Sequence, residues 1–79
     1  MRRRDWMLRA LRTTLVEHGT DVPDSRGRTV DISKLRKMFD ALYPGDDSAT
    51  KTAWHATLNE LTGKNVIGRD GNLLWLMTA

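Results

Sequence analysis

Cysteine is missing from this 79-residue chain. Its absence excludes disulfides and thiolate-ligated metal centres, leaves packing to hold the fold, and fits a reducing compartment. Long apolar runs are missing too. None approaches the roughly 18 residues of a membrane span, and Met1-Arg2-Arg3-Arg4 leads into Asp5 and Arg9 where a secretory leader would continue apolar. The expectation is a cytoplasmic protein without a membrane partner, nucleoid-associated if it binds DNA. Histidine is limited to His18 and His55, which lack metal-ligand spacing, and the carboxylates fall mostly at expected caps and turns. Gly63, Gly68 and Gly71 match no nucleotide-binding loop. The chain is therefore expected to be neither an enzyme nor a carrier of a metal or small-molecule cofactor.

What is present begins with uneven charge. Residues 1–37 hold ten basic groups against five acidic, and residues 38–79 hold three against five. A basic half points to an anionic partner, with nucleic acid the first candidate, set against the plainer alternative of a solvated charged surface. The length predicts a single domain over residues 1–79, which at this size buries only about 60% of the surface its unfolded chain exposes.

Hydrophobic period assigns the elements. Met7, Leu8, Leu11 and Leu15 form one stripe of a helix over 5–18, capped by Asp5 and stopped by Gly19 in a left-handed conformation, which leaves residues 1–4 as a flexible basic arm. Residues 21–28, with Pro23, Ser25 and Gly27, read as an exposed loop carrying Arg26 and Arg28. Thr29-Val30 adds a short strand to a later hairpin. Ile32, Leu35, Met38, Phe39 and Leu42 predict a helix over 31–43; Trp54, Leu58 and Leu61 predict another over 48–62. Pro44-Gly45-Asp46-Asp47 is the turn between them, with Asp47 or Ser48 as the cap. Thr62-Gly63-Lys64-Asn65 ends the third helix, and Val66-Ile67 with Leu73 onward flank Arg69-Asp70-Gly71-Asn72 in a hairpin over 65–77. Trp6, Trp54, Trp75, Phe39 and Tyr43 are expected in the core.

Helix, four-residue turn, helix and tight hairpin in this order resemble the winged-helix superfamily, a helix-turn-helix with an added β-hairpin wing. The likeness covers nearly the whole chain and is one of architecture. It implies a mainly α fold, a three-helix helix-turn-helix core with a C-terminal wing. It also implies a small non-catalytic double-stranded DNA-binding protein, a transcriptional or replication accessory factor of bacterial, plasmid or phage type. In that superfamily the second helix of the pair enters the major groove and the wing touches the adjacent backbone or minor groove.

On that basis the candidate DNA contacts are these. Burying Trp54, Leu58 and Leu61 turns Ser48, Thr52, His55, Ala56 and Asn59 outward, with Lys51 at the boundary. Asn59 suits an adenine edge, Thr52 a thymine methyl or a phosphate, and His55 and Lys51 phosphate or guanine acceptors. Arg69 at the wing tip, Lys64 at its base, Arg2, Arg3 and Arg4 in the arm, Arg26 and Arg28 in the loop, and Lys34, Arg36 and Lys37 on the preceding helix are phosphate candidates.

Two features favour a protein partner instead. Asp46 and Asp47 suit the dipole at the start of the third helix but repel phosphate there, and Glu60 adds a negative charge further on. The run Leu73-Leu74-Trp75-Leu76-Met77 does not alternate as a strand with one wet face should. Leu73, Trp75 and Met77 are thus the candidate interface of a homodimer, or of an interaction module such as a small inhibitor, an adaptor or a fragment of a larger replication protein. The alternative is that these residues cover the start of the first helix.

Overall fold

In a computed structural model, which describes residues 2–22 and 26–77, the first helix starts from a backward reach of Asp5. Its Oδ2 accepts the Arg2 backbone N–H at 3.0 Å, satisfying one of the donors that a helix start leaves open. Asp5 is therefore the third helical residue and not the cap. The helix α1 runs Arg3–His18 with Arg2 at its N-cap. Arg3 and Arg4 of the expected arm belong to its first turn; Met1 lies outside the described residues.

Gly19 ends α1 in an extended conformation, φ −68° and ψ 146°, because the chain passes directly into the strand β1 (Thr20–Asp21). The expected left-handed stop does not form. The glycine answers a close approach instead, since a Cβ at Gly19 would stand 2.2 Å from the Leu15 carbonyl oxygen.

The second strand, β2 (Arg28–Asp31), pairs antiparallel with β1, Thr20 opposite Thr29. The segment expected as an exposed loop over 21–28 thus begins and ends in strand; its residues 23–25 lie outside the described residues. Asp31 then caps α2 (Ile32–Leu42), its side chain accepting the Ser33 N–H at 2.8 Å. After Tyr43 and a short turn, α3 (Asp47–Gly63) starts at Asp46, whose side chain accepts the Ala49 N–H. The cap is Asp46, one residue ahead of the expected Asp47 or Ser48, because only there does the carboxylate stand three residues before a free N–H. At the other end Asn65 takes the left-handed turn, φ 59°, and the Val66 N–H reaches back to the Leu61 carbonyl at 2.9 Å, a Schellman-type closure.

The hairpin follows as β3 (Ile67–Asp70) and β4 (Leu73–Leu76), joined by the two-residue turn Gly71-Asn72. The sheet has four antiparallel strands in the order β1-β2-β4-β3. The architecture is three helices with a small antiparallel sheet, a helix-rich fold with a hairpin as expected but with more strand than the hairpin alone.

The core gathers Met7, Ala10 and Leu11 from α1, Leu35 and Phe39 from α2, Ala53, Trp54, Leu58 and Leu61 from α3, and Val30, Ile67 and Leu74 from the sheet. Leu8 and Leu15 of the expected α1 stripe are only partly buried, while Ala10 and Thr14 are fully so. Within this core the Phe39 ring stacks on Tyr43 at 5.0 Å and tilts against Trp54 at 5.7 Å. Each such pair contributes about 1 kcal/mol beyond the area it buries.

Candidate nucleic-acid interface

The face of α3 that does not meet the core is continuous and polar. Ser48, Lys51, Thr52, His55, Ala56 and Asn59 are all exposed, while Thr50, Ala53, Trp54, Thr57, Leu58 and Leu61 are buried. The period that places Trp54 and Leu58 inward forces the others outward. Thr52 Oγ1 donates to the Ser48 carbonyl at 3.1 Å, which leaves its oxygen lone pairs and methyl group outward-facing contacts. Asp46 and Asp47 stand at the start of this face, the first committed to the cap.

The cations divide into two sets. Arg28 pairs with Asp21 at 3.5 Å, Arg36 with Asp40 at 3.1 Å and Lys64 with Glu60 at 3.1 Å. Arg36 is further drawn over the Trp54 ring, 5.3 Å from its centroid. Arg26 pairs with Asp70 at 3.1 Å and lies 5.1 Å from the centroid of Trp75. These exposed or half-exposed pairs are each worth about 0–1 kcal/mol, so they lower the free positive charge more than they hold the fold. Among the described residues, Arg3, Arg4, Lys34, Lys37, Lys51 and Arg69 form no ion pair.

Arg69 does not stand at the hairpin tip. It sits on β3 opposite Leu74, because the turn is only Gly71-Asn72, with Gly71 at φ 61° and no positive φ at Asn72, the pattern of a type II′ turn. The Arg69 Nε donates to the Gly71 carbonyl at 3.1 Å, which aims the side chain along the strand toward the turn. The turn itself is anchored, since the Asn72 carbonyl accepts the Ile32 N–H at 2.8 Å.

Of the three residues placed at a partner interface, Leu73 is 38% and Met77 42% exposed. Trp75 is half-buried, opposite Gly68 in the ladder and beside Arg26. Reasoning from sequence missed Arg9 and Arg12, both exposed and free of ion pairs among the described residues. Their spacing from Arg2 on one helical stripe was the signal that would have found them.

Among the described residues, hollows at the surface include two near the helices. One of about 300 Å³ at the turn between α2 and α3 sets Arg36 and Lys51 against Asp40 and Asp47, a balanced lining with no net pull on an anion. The other, about 380 Å³, lies between His18, Val22, Lys34 and Leu73. Among the described residues no three histidine or carboxylate side chains gather as metal ligands, and no helix is long and apolar enough to cross a membrane. Among the described residues, the carboxyl of Asp31 is shifted from its ordinary range. Hydrogen bonds from the Ser33 hydroxyl at 2.6 Å and from its backbone N–H hold this carboxyl below the usual carboxylate range.

No family model, curated protein or solved structure matches this chain.

Proposed function

We propose that this chain is a non-catalytic winged-helix protein that binds double-stranded DNA, of the transcriptional or replication accessory kind. The observation that carries the proposal is the outward face of α3, where Ser48, Lys51, Thr52, His55, Ala56 and Asn59 are all exposed on a helix anchored by its opposite side. That strip is about 16 Å long at 1.5 Å per residue, and the major groove admits a helix of this width. The order strand, helix, turn, helix and hairpin supports the winged-helix resemblance.

Asp46 and Asp47 keep the first turn of α3 off the phosphates, so base contact falls to Thr52, His55 and Asn59 in the body of the helix. Lys34, Lys37, Lys51 and Arg69 supply phosphate contacts. Arg3 and Arg4 add to the positive field.

The experiment is fluorescence anisotropy of a labelled random-sequence duplex titrated with protein at several salt concentrations. Four to five neutralised phosphates give a slope of log K against log salt of about −4. Absence of binding even near about 50 mM salt, where such contacts are strong, would sink the proposal. The exposure of Leu73 and Met77 favours the second candidate, a protein-binding module. Its mark is self-association or partner capture that Leu73→Glu abolishes while the fold persists.

A further inference from the structure

The geometry points to a second phosphate-binding surface on the outer side of α1, which takes the backbone of one DNA duplex while α3 holds another; this rests on the DNA-binding proposal above. Five arginines, Arg2, Arg3, Arg4, Arg9 and Arg12, crowd the start of α1. All are exposed, and among the described residues none has a carboxylate ion-pair partner. At 100° per residue, Arg2, Arg9 and Arg12 share the stripe opposite Met7, Ala10, Leu11 and Thr14. Asp5 is the only acidic residue on that stripe, and its Oδ2 is taken by the Arg2 backbone N–H. The Arg9 guanidinium carbon lies 6.0 Å from the Trp6 ring centroid, a contact that orders the side chain without consuming its N–H donors.

This stripe faces away from α3. α1 packs on α2, α3, β2 and β4, and the exposed Arg9 and Arg12 lie on the side of the helix opposite its buried residues Met7, Ala10, Leu11 and Thr14. A duplex seated on α3 and the hairpin leaves them unengaged. Arginines packed this closely repel one another, and the first-turn pair also sits at the end of the helix dipole that disfavours cations. A phosphate backbone relieves both. From Arg2 to Arg12 the stripe is about 15 Å long, enough to follow several phosphates of one strand at roughly 3.4 Å of axial rise each.

The test is a bridging measurement. Two short random-sequence duplexes, one carrying a donor dye and the other an acceptor, are mixed with the full chain at low salt. Sensitised emission is read beside the anisotropy of one duplex. The expected result is energy transfer that peaks and then falls as protein comes into excess. Arg9→Glu with Arg12→Glu should abolish the transfer yet keep the anisotropy midpoint within about tenfold, since charge reversal also weakens the general field; circular dichroism checks that the helix survives. Normal anisotropy with no transfer by the unaltered protein overturns the second surface and leaves the DNA proposal standing. Transfer that persists in the double variant also overturns it, since a protein dimer holding one duplex on each α3 would then be the bridge. No anisotropy change with any duplex removes both.

Discussion

Trp75 lies across the ladder from Gly68 and fills the space that any side chain there would need. A Cβ at Gly68 would stand 2.0 Å from Cε2 and 2.2 Å from Nε1 of the indole. Gly68→Ala is therefore expected to push the ring off β3 and to destabilise the protein by about 1–3 kcal/mol, the usual cost of overpacking. Urea unfolding followed by tryptophan fluorescence measures it; an unchanged midpoint would mean that the ring moves aside freely.

Arg26 covers part of that ring. In Arg26→Ala, iodide quenching should show one more accessible tryptophan than in the unaltered protein, with emission shifted to the red. Quenching that stays the same would place the cover elsewhere.

Thr57 is 1% exposed, and among the described residues its Oγ1 has no hydrogen-bond partner. A buried hydroxyl without a partner carries its desolvation cost uncompensated, about 1–3 kcal/mol. Thr57→Val keeps the shape and removes the cost, so a gain of about 1 kcal/mol in stability is expected from thermal or urea melts.

Asp31 gives a pH signature. Because its carboxyl is held below the ordinary range by Ser33, its contribution is fully present above the unfolded value of about 3.9. It fades as pH falls through the lower folded value. Asp31→Ala should thus melt earlier than the unaltered protein at neutral pH, and the gap should close on acidification below about pH 3.9. A gap that is the same at every pH would assign the loss to packing and not to the ionised cap.

The helices α2 and α3 were legible because Leu35, Phe39, Trp54, Leu58 and Leu61 repeat at a helical period and are all buried. Their outward faces follow from the same period, which is why Thr52, His55 and Asn59 lie where the sequence placed them. Caps were less legible, since the three neighbours Asp46, Asp47 and Ser48 are all good capping residues and only backbone geometry chooses among them. The strand β1 left no trace, being two exposed residues, Thr20 and Asp21. Nor did the pairing of Arg26 with Asp70, whose partners stand 44 residues apart: a contact that distant leaves no periodic mark.

The neighbours β2 and β4 are joined at Val30–Leu74 and Asp31–Leu73, and the bond from Ile32 to Asn72 extends the seam. Bringing these strands together closes a loop of roughly forty residues, an entropic cost of about 3 kcal/mol by loop-length scaling. Everything between them, α2, α3 and β3, is enclosed by that closure. With so long a loop to close, the seam is expected to hold the enclosed helices in place, and its opening is expected to loosen them with it. The side of the molecule that carries α3 is consequently gained or lost as a unit, and amide exchange along α3 should follow the opening of the Val30 and Leu74 amides instead of preceding it.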